Sequence, residues 1–107
     1  MVCVGIMTIM KVVELFRNRV ILAGNRFSDI VLWRLIKPLP GSSHSFKYSL
    51  AYVVNEVCVL LYDNEPGKGD HRHWGEEGSD CNFISLDKLL SDFQADIERW
   101  NYENGHS

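Results

Sequence analysis

Cysteine is scarce in this chain. Cys3, Cys58 and Cys81 are odd in number and far apart, and no Cys-x-x-Cys occurs. That excludes a disulfide framework and a zinc ribbon, and free thiols fit a reducing, cytoplasmic setting. Basic charge is also short: 11 Lys and Arg stand against 14 Asp and Glu, a formal net charge of -3. Any nucleic-acid contact must therefore come from a local patch rather than an overall field. Long apolar runs are missing too. Met1 to Met10 are almost all apolar, but they are far short of a membrane span and lack the positive n-region of a signal peptide. No membrane partner is expected. Walker, Gly-x-Gly-x-x-Gly, Ser-His-Asp and zinc-finger patterns are all absent.

What is present describes an ordinary globular domain. The chain has 107 residues, 46% of them hydrophobic, enough for one modest core. The organisation expected is an apolar N-terminal extension over 1–10, one domain over 11–100 and a frayed tail over 101–107. The extension reads as an edge strand, a tail or an over-called gene start, with Met7 or Met10 the natural first residue.

Four β-type segments come first. Lys11 to Leu22 is rich in Val, Leu and Ile; its helical spacing is outweighed by β-branched content and by the following Gly24-Asn25 turn. Phe27 to Ile36 suits a second strand. Lys37-Pro38-Leu39-Pro40-Gly41-Ser42-Ser43 is a loop, because two prolines and a glycine continue neither regular structure. Phe46, Tyr48, Leu50, Tyr52 and Val54 then alternate with Lys47, Ser49, Ala51 and Val53, the clearest strand signal in the chain. Asn55-Glu56 is a short turn into the apolar strand Val57 to Tyr62, so those two strands should pair antiparallel. From Asn64 to Cys81 the composition predicts a long loop holding at most one short strand near His71 to Trp74.

One helix closes the chain. Ser85 is a good N-cap, and Leu86, Leu89, Leu90, Phe93, Ile97 and Trp100 form one apolar stripe. The expected architecture is α+β: a four-stranded antiparallel sheet, a meander, with one C-terminal helix packed across it. One helix covers only part of such a sheet. The remaining aromatic face predicts a homodimer or another protein partner.

The densest chemistry lies in Asp63-Asn64-Glu65-Pro66-Gly67-Lys68-Gly69-Asp70-His71-Arg72-His73-Trp74. It starts where a strand should end, a usual place for functional groups. In extended backbone His71 and His73 project to one face, about 7 Å apart at Cα. That suits a general acid and a general base on opposite sides of one phosphate, the arrangement of a metal-free ribonuclease. Arg72 would point to the other face unless the backbone is irregular. Lys68 would neutralise charge on the phosphate, and Asp63 or Asp70 would orient an imidazole. A second reading uses the same groups for a divalent metal: His71, His73 and one carboxylate, with Asp70 the leading choice beside Asp63 and Glu65. A third is a hydrogen-bonded surface loop without chemistry. His44, between Ser43 and Ser45, would come near this segment if the third and fourth strands pair. Arg17, Arg19, Arg26 and Arg34 make an RNA patch only if they share a face with Lys47.

Three stretches together resemble the TumE family of small toxins from toxin–antitoxin pairs. They are Pro38-Leu39-Pro40-Gly41-Ser42-Ser43-His44-Ser45-Phe46-Lys47-Tyr48, then Tyr62 through His73 with its Gly-Lys-Gly-Asp-His-Arg-His, then Leu89-Leu90-Ser91-Asp92-Phe93. The resemblance runs from about Met10 to Trp100; Trp74 stands where relatives often carry an aliphatic residue. It implies a toxin held inactive by a cognate helix-turn-helix antitoxin. The reading from another class is a non-catalytic binding module, whose sheet face docks a partner and whose His loop is structural.

Overall fold

The computed structural model describes residues 13–105. The apolar extension expected over 1–10 lies outside them. Six strands follow one another: β1 (Val13–Ala23), β2 (Arg26–Arg34), β3 (Phe46–Val54), β4 (Val57–Glu65), β5 (Gly69–Trp74) and β6 (Glu77–Asp80), then helix α1 (Leu86–Glu103). The strands form one sheet in sequence order, and every neighbouring pair is antiparallel. The α+β class and the meander are as expected; the strand number is six rather than four.

The two additional strands arise where a long loop with at most one short strand, near His71 to Trp74, was expected. β4 runs past Tyr62 to Glu65, a turn over Pro66 to Lys68 reverses the chain, and β5 returns along β4. Gly75 and Glu76 then turn into β6. β5 contains the short strand expected near His71 to Trp74; its full length escaped periodicity because Asp70 and Arg72 on one side and His71 and His73 on the other are polar, leaving Trp74 alone to pack on the core.

The two turns at the far end are tied together. Asn55 and Glu56 both take left-handed backbone, φ 51° and 68°, as a two-residue hairpin turn requires. Asn25 donates through its side-chain amide to Asn55 Oδ1 at 2.8 Å, and Asn55 N–H donates back to the Asn25 carbonyl at 2.9 Å. At the near end the proline loop meets the β4–β5 turn. Gly67 N–H donates to Pro40 O at 2.6 Å, and a methyl on Gly41 would come within 3.4 Å of Gly67 Cα.

The core lies between α1 and one sheet face. Tyr48, Leu50, Tyr52 and Val54 of β3, with Leu60 and Tyr62 of β4 and Leu32 of β2, are buried against Leu89, Phe93 and Ile97. Tyr62 meets Phe93 edge-to-face with ring centroids 5.9 Å apart. Ser85 caps α1 by accepting from Lys88 N–H at 3.1 Å. The helix continues past Trp100 through Glu103, and Asn101 accepts a hydrogen bond from the Tyr52 hydroxyl. No helix among the described residues is long and apolar enough to cross a membrane.

Candidate functional site

Register decides which of the polar groups meet. Asp63 pairs with His71 and Leu61 with His73 across β4 and β5. Paired residues share a face, so Asp63, His71 and His73 all stand on the sheet face away from α1. Glu65 and Lys68 join them around a shallow hollow of ≈ 300 Å³. The two imidazole centroids are 6.4 Å apart.

His71 is held on two sides. Its Nε2 lies 2.8 Å from the Lys68 carbonyl, which only accepts, so Nε2 carries the proton. Its Nδ1 is then the atom free to gain or lose a proton, and it sits 3.4 Å from Asp80 Oδ1 of β6. Lys68 Nζ pairs with Glu65 at 3.3 Å in an exposed contact. Neither His73 nor Asp63 is hydrogen-bonded to the other through its side chain among the described residues.

Asp70 and Arg72 are on the opposite face, beneath α1, and both are engaged there. Tyr48 Oη donates to Asp70 Oδ1 at 2.6 Å, and His44 Nε2 lies 2.9 Å from the same oxygen. His44 Nδ1 accepts from Phe46 N–H at 3.2 Å, so Nε2 is the donor to Asp70. The His44 ring stacks on Phe83 at 4.0 Å. His44 thus reaches the segment, through Asp70 and not through the imidazole pair. Burial, then the bond to Asp70, push the Tyr48 hydroxyl well above the ordinary phenol range. It remains a donor at any physiological pH.

Arg72 Nε donates to Asp96 Oδ2 of α1 at 2.8 Å and to Tyr62 Oη at 3.1 Å; Tyr62 Oη donates to Asp96 Oδ2 at 2.8 Å. The bond to Asp96 is the main reason the guanidinium is held even more firmly protonated than usual. Burial first, then Asp96, raise the Tyr62 hydroxyl.

Asn64 is fully buried and extends the β3–β4 join beyond the Ser49–Asp63 pair. Its Oδ1 accepts from Tyr48 N–H at 3.0 Å, and its Nδ2 donates to Phe46 O at 2.7 Å. Lys47 Nζ donates to the Asn64 carbonyl.

The metal reading loses its leading carboxylate. Asp70 is separated from His71 and His73 by the sheet, and no group of three His, Cys, Asp or Glu among the described residues is arranged to hold an ion. The arginines divide as well. Arg17 pairs with Val31 and Arg19 with Asp29, on the face of Lys47, whereas Arg26 and Arg34 pair with Val54 and Phe46 on the other. Arg19 is taken up by a two-point contact with Asp29 at 2.7 and 2.8 Å.

Sequence reasoning missed Asp80 and Gly78, because β6 itself was not foreseen. It also missed the Tyr62–Asp96–Arg72 contact. An acidic residue inside the helix stripe between Phe93 and Ile97 was the available signal: Asp96 is buried.

No curated protein and no solved structure matches this chain. A family model does, the one described as toxin TumE, over residues 8–101. That span includes all six described strands, the His-x-His strand among them, and nearly the whole of α1, and the chain belongs to the TumE toxin family.

Proposed function

We propose that this toxin is a metal-independent ribonuclease in which His71 and His73 act as the acid–base pair. The observation that carries the reading is two imidazoles with centroids 6.4 Å apart on one sheet face, beside Lys68. A phosphate between the rings can be served from both sides. One imidazole takes the proton of a ribose 2′-hydroxyl. That oxygen bonds to phosphorus as the bond to the 5′-oxygen breaks, and the other, protonated imidazole gives its proton to the leaving oxygen. The products are a 2′,3′-cyclic phosphate and a 5′-hydroxyl. Nδ1 is the working atom of His71, because Nε2 is committed to the Lys68 carbonyl. Lys68 lies at the rim of the hollow and offsets charge gathering on the phosphate. Asp70 and Arg72, tied to the helix side, support the strand rather than touch RNA.

In this reading the toxin works in the cytoplasm and is held inactive by a cognate helix-turn-helix antitoxin. Induced expression of wild type beside a His71→Ala/His73→Ala double variant tests it, with growth and total RNA followed. Growth arrest with RNA breakdown in wild type only is expected. A fully toxic double variant would sink the assignment.

One observation favours the binding-module reading. β1 leaves Leu15, Phe16, Val20, Ile21 and Leu22 exposed, an unusual amount of apolar side chain for one edge strand. A homodimer or a partner protein would cover it. Sedimentation at micromolar concentration should show a species larger than the monomer.

A further inference from the structure

His71 is fixed by a carbonyl and faced by a carboxylate. The His73 ring has no hydrogen-bond partner among the described residues, so something other than a hydrogen bond must set where it lies. Gly78 pairs directly with His73 across β5 and β6. A methyl group built on Gly78 would fall 2.8 Å from His73 Cε1 and 2.9 Å from His73 Nδ1. Carbon atoms do not approach that closely, so the ring occupies the space that any side chain at 78 would fill. Gly78 is not in the left-handed backbone region that would otherwise call for glycine. Glycine inside a strand weakens it, and commonly marks a place where another group must come close.

We infer that Gly78 is the positioning residue for His73. Its missing side chain lets the imidazole lie flat over β6 and so sets the separation of the two rings. β6 then serves both imidazoles, giving Asp80 to one and bare backbone to the other. This rests on the acid–base reading for its consequence in activity, but not for its geometry.

Two measurements on the full chain separate those levels. In wild type, proton NMR should give a cross-peak between Gly78 Hα and His73 Hε1; its absence overturns the inference. In Gly78→Ala, the His73 ring resonances should move and its cross-peaks to His71 should be lost, while the His71 ring stays bonded to Lys68. An unchanged His73 environment in that variant also overturns the inference, whatever happens to toxicity. Activity is then read as a cycle. Gly78→Ala should lower RNA cleavage at least tenfold in wild type and have no further effect in a His73→Ala background. An equal loss in both backgrounds would show that Gly78 acts through general strand stability, and would overturn the positioning role. If His73→Ala alone leaves cleavage unchanged, the acid–base reading fails, and the NMR result still decides the placement.

Discussion

Arg72 and Asp96 meet at 2.8 Å and join the strand that carries both imidazoles to the only helix among the described residues. Because side chains alternate along β5, the residue between the two histidines necessarily points under the sheet. The contact there fixes the strand from beneath while its upper face stays open. Asp96→Ala leaves the half-buried Arg72 guanidinium and the Tyr62 hydroxyl without their acceptor. It should cost about 1–3 kcal/mol in urea unfolding, with Asp96→Asn milder.

Phe93 is 2% exposed and packs edge-to-face on Tyr62. Phe93→Ala should cost roughly 3–5 kcal/mol, a large share of the stability of a domain of this size. An unchanged melting temperature would contradict the described packing of α1 on the sheet.

The buried phenols predict alkaline sensitivity. Tyr48 and Tyr62 both have raised folded values, so the folded chain holds those protons more tightly than the unfolded chain. Their contribution is therefore complete below about pH 10, where unfolded tyrosine begins to ionise, and is lost as pH rises beyond it. The slope approaches about 1.4 kcal/mol per pH unit for each group. Burial raises the Cys58 and Cys81 thiols as well, which adds loss of the same sign from a somewhat lower pH. Urea midpoints measured from neutral to alkaline pH should fall more steeply for wild type than for Tyr48→Phe.

Lys68 separates charge from proton transfer. Lys68→Ala should reduce RNA cleavage without altering the pH profile, whereas single His71→Ala or His73→Ala changes should lower cleavage by roughly 10²–10⁴-fold and leave the melting temperature close to wild type. EDTA should leave cleavage by the purified toxin intact. Complete loss on chelation, restored by a divalent ion, would favour the metal reading.

The parts of the fold that were legible in the sequence are those with one wet and one dry side. Tyr48, Leu50, Tyr52 and Val54 against Lys47, Ser49, Ala51 and Val53 give β3 directly, and the Leu89–Phe93–Ile97 stripe gives the helix. β5 was illegible as a full strand because its two faces are both polar and find partners that sequence spacing does not reveal: Asp96 is distant in the chain from Arg72, and His44 from Asp70. β6, Glu77-Gly78-Ser79-Asp80, has no hydrophobic residue at all and exists by pairing alone. At the site, the period of two correctly put His71 and His73 together and Arg72 opposite them. Asp70 was expected beside the imidazoles, but the same alternation puts it with Arg72 on the helix side, where Tyr48 holds it. Asp63 joins the imidazoles because of the β4–β5 register, which the turn over Pro66 to Lys68 fixes.

The order of the strands has a consequence during synthesis. A meander pairs each strand with the one just made, so loop closure is short at every step. A ribosome releases β1 through β6, including Lys68, His71 and His73, before it releases any of Leu89, Phe93, Asp96 or Ile97. Until those emerge, the tyrosine face has no cover and Arg72 lacks its carboxylate. The helix thus acts as a completion signal: nascent chains stopped before Ser85 carry every proposed catalytic side chain, yet none of the helix residues that hold their strand from below.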